Sequence, residues 1–76
     1  MNATVTLINM RTSAQNAVIS TVVAYGERGI NESYLGDCGS LHSMGSKYLR
    51  DRVEELVSAG RLKRVDRGNY NMLVAL

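Results

Sequence analysis

Across Gly60 the hydrophobic period of the chain changes from helical to extended inside one uninterrupted run, VEELVSAGRLKRVDRGNYNML. Before that glycine, Leu49, Val53, Leu56 and Val57 recur at spacings of three and four, an apolar stripe about 100° wide. Lys47, Tyr48, Asp51, Glu55 and Ser58 lie opposite. The periodicity predicts a helix that begins at Ser46 and stops at Ala59 and Gly60, the latter suited to a left-handed position just past a helix end. Beyond it, Arg61 to Val65 and Tyr70 to Val74 read as two strands around Asp66-Arg67-Gly68-Asn69, where Gly68 or Asn69 takes positive φ. Leu62 and Val65 break strict alternation, so either a bulge intervenes or one of them sits on the outer face.

Upstream the signals are weaker. Thr4 to Ile8 alternates polar and apolar as a half-buried strand does, and three uses fit it: pairing with the hairpin, an early start of the first helix, or an arm ordered by another subunit. Thr12 or Ser13 is a suitable N-cap for a helix over 13–25, in which Ala14, Ala17, Val18, Val22 and Tyr25 follow helical spacing up to Gly26 and Gly29. Ile30, Tyr34 and Leu35 suit a short helix with Asn31 or Ser33 near its start and Gly36 near its end. From Gly36 to Gly45 the composition is that of a structured connection anchored by Leu41 and Met44. The chain is therefore divided into residues 1–12, an arm or short strand, and residues 13–76, one α+β domain.

Composition narrows the function classes. The chain has 76 residues and 45% apolar content, without Trp, Phe or Pro, so its core is aliphatic and small. One cysteine, Cys38, and one histidine, His42, supply neither a disulfide nor a metal-ligand cluster, and no metal or cofactor is expected. No apolar run approaches the roughly 20 residues that span a bilayer, and a cytoplasmic location is the simplest expectation. The net charge is only +2, but seven of the nine basic residues lie between Lys47 and Arg67, and Met1 to Tyr25 holds only Arg11. The positive charge thus belongs to the helix-and-hairpin half.

Val53 to Val65, followed by Arg67-Gly68-Asn69-Tyr70, resembles the winged helix-turn-helix superfamily, whose third helix commonly ends L-x-x-L-x-x-x-G-x-I/L-x-R and feeds a basic R-G-x-Y wing. The resemblance covers about Ser13 to Leu73 and is to a superfamily pattern, not to one protein. It implies three helices with a C-terminal β-hairpin wing, the third helix in a DNA major groove and the wing beside a phosphate backbone or in the minor groove. Two departures stand out: a long, glycine-rich link from Gly36 to Gly45, and Glu54 and Glu55 on the third helix.

On that resemblance, Ser46, Lys47, Tyr48, Arg50 and Asp51 are the base-reading candidates, with Arg50 at the border between a base and a phosphate. Arg61, Lys63, Arg64, Arg67 and Asn69 belong to the grip on the backbone. Tyr70 fits packing of the wing better than DNA contact. The implied partner is double-stranded DNA, bound by a small transcriptional regulator that works as a homodimer or with a partner regulator; a protein-binding winged helix without DNA contact is the alternative. Cys38 and His42, four apart, lack a third orienting group and an oxyanion signature, so an enzyme is not expected.

Overall fold

The computed structural model describes residues 3–76, side chains of residues 3–10 and of Ser40 excepted. An α-helix, α1 (Ala3–Ala24), opens the chain, and a 3-10 turn (Gly26–Arg28) leads into the short strand β1 (Ile30–Asn31). Two further 3-10 segments, Glu32–Asp37 and Gly39–Ser43, precede the second α-helix, α2 (Ser46–Ser58), and the hairpin strands β2 (Leu62–Asp66) and β3 (Asn71–Ala75). The fold is α+β, with a three-stranded antiparallel sheet in the order β1-β3-β2.

The α1 helix is longer than its apolar spacing predicts. Thr4 to Ile8 is helical, not extended, so of its three readings an early helix start is the one observed. No Gly or Pro occurs between Ala3 and Ala24, and a nucleated helix adds residues at little cost, so a brief alternation does not break it. The helix also runs through the boundary drawn at residue 12; the part of that arm formed by Met1 and Asn2 lies outside the described residues. Its buried face is Ala14, Val18 and Val22, one per turn.

Gly29 makes the next step possible. With φ 74° and ψ −175° it occupies backbone space that only glycine enters readily, and a Cβ there would meet the carbonyl oxygen of Leu73 at 2.5 Å. The close approach delivers Ile30 and Asn31 into register with Leu73 and Met72 of β3. The short helix expected from Ile30 is thus displaced: Ile30 is strand, and the helical segment is 3-10 and starts at Glu32. Asn31 caps it, its Oδ1 accepting from Ser33 N at 3.0 Å. In the following connection Leu41 is wholly buried and Met44 packs against the core, as anchors should.

The end of α2 matches its glycine signal. Gly60 has φ 75°, Gly60 N donates to Val57 O and Arg61 N donates to Leu56 O at 2.9 Å, the paired bonds of a Schellman turn. The hairpin is in one-to-one register from Leu62↔Ala75 to Asp66↔Asn71, so there is no bulge. Leu62 is buried and Val65 lies across the sheet from it, on the outer face. Positive φ in the connecting loop falls on Gly68, not Asn69. The core joins Val18, Val22, Ile30, Leu35, Leu41, Leu49, Val53, Leu56, Leu62 and Leu73, so every element except the first 3-10 turn contributes a buried side chain.

Candidate nucleic-acid interface

The first half of α2 and the hairpin loop face each other across a cleft of about 560 Å³. Its floor is apolar, made by Leu35, Leu49 and Val53, which are buried because they are also the inner surface of the core. Ser46, Arg50 and Glu54 border it from α2, one per helical turn, and Asn69, Tyr70 and Asn71 border it from the hairpin. Asn31, Glu32 and Ser33 close the third side. Hairpin and helix are held in this relation by the Gly60 turn and by the inward residues of β2.

Of the ten residues that the resemblance assigns to DNA, four border this cleft: Ser46, Arg50, Arg64 and Asn69. Lys47 and Asp51 are exposed on the solvent side of α2, and Arg67 is exposed in the hairpin loop. Arg61 and Lys63 are exposed but lie off the cleft; Lys63 alternates with the inward Leu62 and Arg64 and so points from the other side of the sheet. Tyr48 is turned toward its own helix, its ring 4.5 Å from the Arg52 guanidinium carbon.

Arg64 is the largest departure from the expected roles. Its Nε and Nη2 donate to the two carboxylate oxygens of Glu32 at 3.1 and 2.6 Å, and its Nη1 donates to Glu54 at 2.7 Å. Only 24% of the Arg64 side chain is exposed, so the bidentate pair is well sheltered. The hydrogen bonds it donates to Glu32 outweigh burial, holding the guanidinium more firmly protonated than a free arginine. Instead of standing free for a phosphate, Arg64 ties β2 to the second 3-10 segment and to α2.

A second polar group lies where α2 meets α1. Arg52 is only 7% exposed and contacts Glu55, with Nε 2.8 Å from Oε1, though not aligned for a hydrogen bond, and Nη2 donating to Oε2 at 3.0 Å. Gln15 Nε2 donates to Glu55 at 2.9 Å and Arg11 approaches it at 3.7 Å. Glu55 therefore faces α1 and is half-buried, where the helical stripe predicts a solvated position opposite the core. Burial pulls its pKa up, but the hydrogen bonds from Gln15 and Arg52 and the charges of Arg52 and Arg11 more than offset this, leaving it below the ordinary value.

The spacing of Arg52 and Glu55 at i, i+3 was the available signal for this pair. Nothing comparable links Glu32 with Arg64, which are 32 residues apart. Lys47, Arg50, Arg61, Lys63 and Arg67 remain exposed and without an ion pair among the described residues.

Cys38 is half-buried between the Tyr25 hydroxyl at 3.8 Å and the Tyr34 carbonyl, to which it donates at 3.5 Å. Among the described residues there is no cluster of three or more potential metal ligands, and no helix is long and apolar enough to cross a membrane. No protein-family model, no curated protein and no solved structure matches the chain.

Proposed function

We propose that this chain is a double-stranded DNA-binding protein of winged helix-turn-helix type, a small cytoplasmic transcriptional regulator whose α2 enters the major groove. One observation carries the reading: Ser46 and Arg50 of α2 and Asn69 of the hairpin loop border one cleft, with Lys47 exposed on the same helix and Arg67 exposed in the same loop. A helix fits the major groove, and its first turns reach base edges while flanking cations meet phosphates. Ser46 and Asp51 face base edges, Lys47 and Arg50 meet phosphates at the edges of the groove, Arg67 and Asn69 are the hairpin contacts, and Arg61 and Lys63 make a lesser contribution to the field. A single module of this kind buries roughly 600–1,000 Å² of protein surface, so a homodimer or a partner regulator supplies the remaining affinity.

Fluorescence anisotropy of a labelled random duplex, titrated across roughly 50–200 mM salt, tests the role. Binding should weaken steeply with salt, and Lys47→Gln, Arg50→Gln and Arg67→Gln should each lower the slope of log K against log salt by about 0.9. No binding at low salt with about 100 μM protein would overturn the reading. That outcome would favour a protein-binding winged helix, a second role motivated by the carboxylates of Glu32 and Glu54 at the cleft.

A further inference from the structure

The cleft between α2 and the hairpin carries two carboxylates, Glu32 and Glu54, and two guanidiniums, Arg50 and Arg64, on its walls. Arg50 borders the same cleft as these acids, so a polyanion that meets Arg50 also meets Glu32 and Glu54. Glu54 is the more open, with 55% of its side chain exposed, whereas Glu32 is 24% exposed. Both are held by the same residue, and that residue has committed Nε, Nη1 and Nη2 to them. Three of the five N–H donors of Arg64 are thus engaged, and a phosphate drawn to the remaining two would meet the carboxylates of Glu32 and Glu54 beside it.

We propose that Arg64 is a positioning residue of the nucleic-acid surface: it contacts no phosphate, but holds Glu32 and Glu54 turned in and screened so that the DNA backbone can pass the cleft. The inference rests on the DNA-binding reading and deepens it. It assigns the backbone contacts to the unpaired Lys47, Arg50 and Arg67, and it explains how a helix carrying Glu54 can lie beside a polyanion. The mouth of the cleft becomes close to electroneutral, with attraction coming from its two flanks.

The test compares duplex affinity and salt slope for the wild type, Arg64→Gln, the pair Glu32→Gln/Glu54→Gln, and the triple variant, using circular dichroism to establish that each is folded. Arg64→Gln should bind about fivefold more weakly, the repulsion expected from two uncovered carboxylates roughly 8 Å from phosphates in water, with little change in slope. The triple variant, having no acids to screen, should bind at least as tightly as the wild type. If Arg64 instead contacts a phosphate, Arg64→Gln loses about 0.9 of slope and the triple variant stays weaker than the wild type, and the proposal falls.

Should Arg64→Gln fail to fold, the Glu32→Gln/Glu54→Gln pair decides. Screening predicts that the freed Arg64 becomes a new phosphate contact and steepens the slope by about 0.9; a phosphate contact already present predicts an unchanged slope. Absence of any binding by the wild type would remove the DNA-binding function and this proposal with it.

Discussion

Replacing Gly29 by alanine should be the most damaging single-methyl change in the chain, and Gly26→Ala provides its internal control. Both glycines have positive φ, 65° at Gly26 and 74° at Gly29. They differ in surroundings. A Cβ on Gly26 would meet nothing within 4 Å, whereas one on Gly29 would stand 2.5 Å from the Leu73 oxygen and 3.0 Å from Val74 Cγ2. Gly26→Ala therefore measures the conformational term alone, about 1 kcal/mol. Gly29→Ala adds a less tolerated region of φ/ψ, costing about 1–3 kcal/mol, and a collision with backbone that cannot rotate away. The sum is about 3 kcal/mol or more.

For a chain of this length total stability is about 4–11 kcal/mol, so this is a large fraction, and the melting temperature should fall by about 12–24 °C. Urea and thermal unfolding followed by circular dichroism measure both variants. A Gly29→Ala protein whose stability lies within about 1 kcal/mol of Gly26→Ala would refute the proposed contact between Gly29 and β3, and with it the tight pairing that places β1 at the sheet edge.

Arg52→Ala should destabilise by about 2–3 kcal/mol, because it removes a nearly buried stem and leaves Glu55 with fewer partners; Arg52→Met, which restores packing alone, should recover about 1 kcal/mol in the same melts. Glu55 gives a pH signature. Its folded pKa lies below the ordinary 4.5, so its stabilisation is present above that value and is lost as pH falls through the lowered one. The melting-temperature gap between wild type and Glu55→Gln should thus be open at neutral pH and close as the pH falls through the lowered pKa; a constant gap would exclude the Arg52 and Gln15 network as its source. Leu41→Ala, in a segment of small and polar residues, should cost about 2–4 kcal/mol by denaturant titration, as expected for a wholly buried leucine and not for a loop residue.

The helix and hairpin around Gly60 were legible because their determinants are local. Apolar spacing, a glycine at the helix end and a glycine in the hairpin loop act within a few residues, and the structure realises each one, with the strands shifted by a single position. The α+β class followed from that change of period. Much of the core was also visible, since Val18, Val22, Leu49, Val53 and Leu56 repeat at helical spacing. The beginning of α1 stayed ambiguous in the sequence because Thr4 to Ile8 contains an alternation of period two that fits a strand or arm as well as an early helix start; uninterrupted helix propagation through a segment free of Gly and Pro prevails.

What only the tertiary structure decided depends on partners distant in sequence. The two residues of β1 have no periodicity to detect; they are strand because Gly29 lets the chain approach Leu73 closely enough to pair. Charge alone made Arg64 equivalent to Arg61, Lys63 and Arg67. Strand alternation turned it inward, and the fold brought Glu32 and Glu54 to its three nitrogens, converting an apparent grip into a tie between elements. Sequence thus determined α2, its glycine stop and the hairpin, and where the positive charge concentrates. Tertiary structure decided which of those charges are free, because a cation's availability depends on which acids the folded chain brings within hydrogen-bond distance, and local sequence carries no record of that.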